Sequence, residues 1–372
     1  MGKRILITGG AGFIGSHLAD ELLAHDHQVR VLDVLSPQVH GSRGERPDYL
    51  HPDVELICGD VCHGDAVRRA LCGVDAVFHL AAAVGVGQSM YEVGKYLRMN
   101  TLGTAVLLEA LMECPVETLV VASSMSIYGE GLYRAADGSR HSQAERSLAQ
   151  LHAGVWDLYD AQGDVLEPLP TPETKPPTLA SIYALSKYDQ ERMCLIIGQA
   201  YGIPTVALRF FNVFGPRQAL SNPYTGVLAI FAARYLNDQP PIIFEDGLQQ
   251  RDFVSVYDVV QACRLALEVP EAAGQVLNIG SGHASTICKV AELMARVLGK
   301  THLAPHLTGK YRVGDIRHCF ADITRAQVIL GYTPRVTLAE GVEEMVDWLA
   351  GQIAHDQSAT ASAELIKRGL VV

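Results

Sequence analysis

The stretch from Lys3 to Gly15 constrains the fold most. Lys3 to Thr8 is a continuous apolar, β-branched run that breaks at once into Gly9-Gly10-Ala11-Gly12-Phe13-Ile14-Gly15, and an amphipathic segment, SHLADELLAHD, follows. This reads as strand, glycine turn and helix. Glycine lets the backbone turn tightly and approach a pyrophosphate, whose charge is favoured by the free N–H groups and dipole of a helix N-terminus. Glycine-rich turns also serve plain strand-to-helix connections, so the motif needs its flanks. The second strand, Gln28 to Leu32, ends in Asp33, about twenty residues beyond the loop; there a carboxylate binds the adenosine ribose hydroxyls and repels a 2′-phosphate, selecting NAD over NADP. Gly9, Gly12, Phe13, Ile14, Gly15 and Asp33 are the first candidate cofactor contacts.

The pattern then repeats. VELICGD puts Asp60 at a strand end, and AVRRALCGVDAVFHLAA gives a helix and a buried strand. Alternating strand and helix signals predict an α/β fold with a doubly wound parallel Rossmann sheet, and cofactor loops should line the carboxyl ends of its strands. Asp60 and Val61 are candidates for the adenine, and Leu80, Ala81 and Ala82 for the phosphate and ribose, although the alanines also suit tight helix–sheet packing. Asn100, at the start of a long apolar helix, reads equally as a cap or a buried polar hinge and is carried as a cofactor candidate.

Length and charge set outer limits. A chain of 372 residues is long for one core, so two associated domains are expected. The net charge of −11 speaks against a nucleic-acid partner, and no apolar run reaches membrane-spanning length. With no secretory signal in MGKRILITGG, a cytoplasmic location is expected. The eight cysteines lie scattered without paired short spacings, which favours buried free thiols over a zinc site or disulfide framework.

Two further segments carry chemistry. TLVVA runs into Ser123-Ser124-Met125-Ser126-Ile127-Tyr128-Gly129, and later comes Tyr183-Ala184-Leu185-Ser186-Lys187. Residues four apart share a helix face, so the Lys187 ammonium can favour ionisation of the Tyr183 phenol, which is a poor base when its pKa is near 10. TGGAGFIG, Asp33, Asp60, SSMSIYG and YALSK, in this order, resemble the extended short-chain dehydrogenase/reductase family, and specifically its nucleotide-sugar epimerases and dehydratases. The resemblance covers nearly the whole chain. It implies tightly bound NAD, a catalytic set of Ser124, Tyr183 and Lys187 with the last two also touching cofactor, and a nucleotide-diphosphate sugar as partner. It places Asn212, Arg251 and Arg317 on the diphosphate, Ser124 and Ser126 beside the sugar, and Phe244 near the base, together with the runs Ser221 to Val227 and Ile242 to Gly247. It implies a Rossmann domain over 1–209, to which 242–266 and 275–297 return, and a smaller C-terminal α/β substrate domain over 210–241 and 298–355. Helices at about 99–114 and 182–201 resemble the pair that builds a homodimer interface in the family.

The serine segment separates the family's reactions. Dehydratases carry Asp-Glu directly after the residue matching Ser124, decarboxylases a glutamate at the place of Ser126, and GDP-sugar 3,5-epimerases a cysteine there. Met125 and Ser126 can do none of this chemistry. Inversion at C4 through a transient 4-keto sugar remains, on a dTDP- or UDP-(deoxy)hexose. A 4-keto reductase or 4,6-dehydratase is the alternative within the family, and a non-catalytic dinucleotide sensor the alternative outside it. The polar insert over 131–178, with its PTPET close, resembles a bacterial subgroup that includes deoxysugar 4-epimerases such as those acting on dTDP-L-rhamnose. Some of these carry cysteine pairs suggesting a zinc knuckle; this insert has none, so no metal is expected, and the segment reads equally as a flap held by aromatic packing or as a disordered surface insert. The segment 356–372 is low in apolar residues and is expected to be a mobile tail.

Overall fold

In a computed structural model, every residue is described except Met1, Ser42, Arg43, Ser221, Ala350, Gly351, 353–355, Gln357 and Val372; the Ser221 end of the run placed near the base lies outside the described residues. Seven parallel strands form the main sheet: β1 (Arg4–Thr8), β2 (Gln28–Asp33), β3 (Glu55–Cys58), β4 (Ala76–His79), β5 (Thr118–Ser124), β6 (Thr205–Phe210) and β7 (Val276–Ile279), in the order β7-β6-β5-β4-β1-β2-β3. Chain direction across the sheet reverses between β1 and β4, and a crevice opens at their carboxyl ends.

Alternation along each strand feeds two cores. Ile5, Ile7, Val29, Val31, Ala76 and Phe78 face one side, under helices α1 (Phe13–Leu23) and α6 (Val256–Glu268), while Leu6, Leu32, Val77, Leu119 and Val121 face the other. That second side is covered by α2 (Gly64–Leu71), α3 (Gly103–Glu113) and α4 (Ile182–Tyr201). Helix α4 starts where the Ser181 hydroxyl accepts a hydrogen bond from the Ala184 N–H at 3.1 Å, and it stops at Gly202, whose φ of 69° is left-handed.

The smaller domain packs α5 (Val227–Leu236), α7 (Ile287–Val297) and α9 (Leu338–Leu349) around Phe214, Phe231 and Phe253. Its boundaries differ from those expected. Ile243, Phe253 and α7 join the core of this domain, because the apolar face of α7 (Val290, Ala291, Met294) meets α5 and α9, while Val254 enters the first core. Helix α6 and β7 return to the main sheet, accompanied from the expected substrate segment by α8 (Thr324–Leu330), whose Ala326 and Leu330 enter the first core.

The insert is structured. Leu132–Arg134, Arg140–His141 and Glu167–Leu169 form a three-stranded antiparallel sheet beside an apolar cluster of Tyr133, Ala135, Leu158 and Leu166. Aromatic packing is only part of its attachment: Trp156 is half-buried, Tyr159 is exposed, and buried Arg146 pairs with Glu130 and Glu245. The expected mobile tail contains α10 (Ser358–Lys367), which docks through Ala361 and Leu365. Apolar content there is low, but two residues four apart on one face suffice to seat a turn of helix. Of the cysteines, only Cys194, Cys263 and Cys319 are buried; Cys58, Cys72 and Cys114 are exposed at element ends.

Candidate active site

One cavity of about 640 Å³ runs from the glycine turn to the smaller domain. At its cofactor end β1 leads into Gly9, whose φ is 71° and where an added Cβ would sit 2.8 Å from the Ala81 backbone. A Cβ on Gly15 would lie 2.5 Å from the Gly10 Cα, so turn and helix are in backbone contact. Gly12 opens α1 without a side-chain cap, and a Cβ there would meet only the Gly9 carbonyl oxygen at 3.4 Å. The bare helix N-terminus thus faces the cavity, a setting for a pyrophosphate. Asp33 is mostly buried at the end of β2, its carboxylate accepting from the N–H groups of Ala11 at 3.0 Å and Leu35 at 2.9 Å. Asp60 accepts from the Cys62 N–H at 2.9 Å, and Phe13, Ile14, Val61, Leu80, Ala81 and Ala82 complete this end. The residues fit a dinucleotide. A Gly9→Val substitution is expected to weaken NAD by about tenfold or more, since it combines a strained φ with backbone overlap; the NAD retained per protomer after purification measures it.

Asn100 does not face the cavity. It lies in a π-helical turn, Leu97–Leu102, and its amide is used up: Oδ1 accepts from the Ala83 N–H at 2.6 Å, and Nδ2 donates to the Ala83 carbonyl and the Ser186 hydroxyl. It is the buried hinge rather than a cap or a cofactor contact, tying the β4 loop to α4. Met99 lines the cavity in its place.

Ser124, Tyr183 and Lys187 meet at the middle of the cavity. Ser124, at the end of β5, accepts from the Ser126 N–H at 3.2 Å and from its hydroxyl at 2.9 Å. Burial pushes the Tyr183 phenol above its usual value, and a hydrogen bond with Ser124 works against that shift. Burial brings the Lys187 ammonium down to about 8. Lys187 Nζ donates to Gln190 Oε1 at 2.7 Å, and that amide cannot turn over because its Nε2 donates to the Ala81 carbonyl at 3.2 Å and the Thr104 hydroxyl at 2.9 Å. The Gln190 Nε2 also lies 3.1 Å from His79 Nε2, and burial holds the His79 imidazole neutral, with a pKa lowered to about 3. Neither Gln190 nor His79 is among the candidates read from the sequence: His79 stands out as a polar residue within the apolar run AVFHLAA, whereas Gln190, between Asp189 and Glu191, carries no such signal.

Toward the smaller domain the cavity is lined by Asn212, Phe244, Arg251 and Arg312. Asn212 Oδ1 is buried without a protein partner. Arg317 is not in the wall. It is fully buried behind it, paired with Asp157, Glu245 and Asp246. Arg312 lines the wall in its place, paired with Asp315 at 2.8 Å and lying 5.5 Å from the Phe244 ring centroid. Helix α10 closes the same end with Ala361 and Leu365, and a Cβ on Gly87 would touch Leu365 at 3.4 Å.

Comparison with known proteins agrees with this geometry. The model of the NAD dependent epimerase/dehydratase family matches residues 5–280. The dTDP-L-rhamnose 4-epimerase of Burkholderia thailandensis is 35% identical over 361 residues, covering 95% of this chain and 96% of that protein. The crystal structure of UDP-glucose 4-epimerase from Thermotoga maritima with UDP-glucose has a TM-score of 0.76 at 30% identity, covering 93% of this chain and 98% of that one. UDP-glucuronic acid 4-epimerase from Bacillus cereus, in complex with UDP-glucuronic acid and NAD, has a TM-score of 0.76 at 28% identity, covering 93% of this chain and 99% of that one. With a family match over most of its length and a glycine turn, Asp33 and Tyr183–Lys187 around one cavity, this chain belongs to the NAD dependent epimerase/dehydratase family.

Proposed function

We propose that the chain is a nucleotide-sugar 4-epimerase that inverts C4 of a dTDP- or UDP-linked hexose or deoxyhexose. The observation that carries the reading is the composition of the wall beside Ser124. Among the described residues lining the cavity, the carboxylates are Asp33 and Asp60 at the adenosine end and Asp315, which is paired with Arg312. Met125 and Ser126 follow Ser124, so the proton-transfer group at the reacting carbon is the Tyr183 phenol alone. That suits reversible oxidation at one carbon, and it does not suit elimination, which needs an acid and a base together.

NAD, held by the glycine turn and Asp33, would supply the acceptor and the donor for a hydride at C4. The chain's own work is proton transfer and anchoring. Tyr183 takes the proton from the 4-hydroxyl and later gives it back, Ser124 shares the hydrogen bond to O4, and Lys187 favours the ionised phenol by its charge. Asn212 and Arg251 hold the diphosphate while the keto sugar turns about it. Val86, Met125, Ile316 and Leu365 make the sugar end apolar and suit a neutral or deoxy sugar. Incubation with a panel of dTDP-, UDP- and GDP-hexoses, reading epimer ratios by chromatography without added cofactor, tests the reading; stoichiometric consumption of reduced cofactor indicates the reductase instead.

Asp33→Asn keeps the shape of the cofactor site but removes the charge facing a 2′-phosphate. The preference for NAD over NADP, measured as the ratio of Kd values, is expected to fall by about tenfold or more, since like-charge juxtaposition costs several kcal/mol. The protein is further read as a cytoplasmic homodimer joined through α3 and α4, which with the adjoining π-helical turn leave Leu97, Leu102, Leu185 and Ile196 exposed. Light scattering of the purified protein decides the oligomeric state.

A further inference from the structure

We propose that the insert sets the position of Arg251 in the cavity wall, acting from Asp157 through Arg317 and the main chain at 316–317. The proposal rests on the nucleotide-sugar reading above and gives a role to a segment that does not reach the reacting carbon.

Arg251 is held by dipoles rather than by an anion. Its Nη1 donates to the carbonyls of Gln250 at 2.8 Å and Arg317 at 2.9 Å, and its Nη2 donates to the Ile316 carbonyl at 2.5 Å. Among the described residues no carboxylate pairs with it, whereas Arg312 is neutralised by Asp315. The charge that Arg251 presents to the cavity is therefore left for an anionic ligand, and its direction depends on where two adjacent carbonyls point.

Those carbonyls belong to an irregular stretch that is fixed from the far side. The Arg317 guanidinium turns away from the cavity. Its Nε and Nη2 donate to Asp157 Oδ1 at 3.0 and 2.9 Å, and its Nη1 and Nη2 donate to the two oxygens of Asp246 at 2.6 and 2.9 Å. Asp157 comes from the insert, and Asp246 from the loop that carries Phe244. The planar fork is thus gripped on two edges, which fixes its rotation as well as its place. The main chain is pinned as well: Glu130, at the root of the insert, accepts from the N–H of Arg317 at 2.7 Å and of His318 at 3.2 Å. The chain of contacts runs from Asp157 to the Arg317 side chain, to the 316–317 carbonyls, to Arg251. Losing Asp157 frees one edge of the fork and loosens the carbonyls on which Arg251 rests.

The same contacts would exist if the insert merely strengthened the fold, and the two roles differ in what a mild variant changes. Asp157 is 44% exposed at its side chain, so Asp157→Asn removes charge without opening a cavity. Titration calorimetry with UDP and dTDP is expected to show affinity lower by about tenfold, with NAD content and kcat at saturating nucleotide sugar unchanged. In an Arg251→Ala background the same substitution is expected to add nothing, because its effect passes through Arg251. Unchanged affinity in Asp157→Asn, an equal loss in both backgrounds, or a lowered melting temperature with affinity intact would overturn the proposal. If the unaltered protein binds neither UDP nor dTDP, the nucleotide-sugar reading fails first and the proposal with it; binding that Asp157→Asn leaves intact defeats the proposal alone.

Discussion

Tyr183→Phe is expected to lower turnover by about three orders of magnitude while binding of NAD and nucleotide sugar stays close to that of the unaltered protein, since a positioned acid–base group contributes about 10²–10⁴-fold. The substitution removes one oxygen and leaves the ring, which packs edge-on against Tyr96 at 6.4 Å between centroids. Among the described residues, nothing else at the middle of the cavity is placed to take over the proton. Ser124 has a hydroxyl but no means of ionising near neutrality, and Lys187 is spent on Gln190. Epimer formation followed by chromatography, beside titration of UDP and dTDP, separates loss of chemistry from loss of binding. Turnover equal to that of the unaltered protein would remove Tyr183 from the mechanism.

The second large effect is on stability. Glu191 and Arg209 form a buried pair between α4 and β6, with contacts of 2.7 and 2.9 Å. The Ser123 hydroxyl donates to Glu191 at 2.6 Å, and Arg209 also reaches the Tyr128 hydroxyl at 2.9 Å. Burial works against the Arg209 charge, but the Glu191 carboxylate more than offsets it and holds the guanidinium firmly protonated. Glu191→Ala leaves that cation buried without its carboxylate, a change that costs about 3–5 kcal/mol, whereas replacing both partners by apolar residues of similar size is expected to recover most of the loss. Denaturant midpoints of the single and double variants measure this. A single variant as stable as the unaltered protein would contradict this pair's role in holding α4 against β5 and β6.

What could be read from the chain was whatever depends on local order. The glycine turn, Asp33 and the Tyr183–Lys187 spacing are short-range patterns, and the structure brings them into one cavity. Arg312 and Arg317 show the limit. They lie five apart in YRVGDIRH, and only the three-dimensional path of that loop decides that one faces the cavity and the other faces the insert. Asn100 is ambiguous for a related reason, since a polar residue beside a β4 loop can serve the ligand or the backbone, and here three atoms of the protein claim its amide. The C-terminal segment read as mobile because too few apolar residues signal its docking; its partner surface, Gly87 and the 312–313 backbone, is distant in sequence. Charge pairs such as Arg146–Glu130 likewise leave no periodic trace, which is why aromatic packing was expected to hold the insert.

In the proposed mechanism C4 is oxidised and reduced again by a hydride that never leaves the site. A dTDP- or UDP-hexose carrying deuterium at C4, incubated with the unaltered protein and analysed by mass spectrometry and NMR, tests it most directly. Both C4 epimers should form, each retaining the label at C4, with no reduced cofactor accumulating and no solvent hydrogen entering C3 or C5. Loss of the label, exchange at C3 or C5, or a dehydrated 4-keto product would contradict the claim.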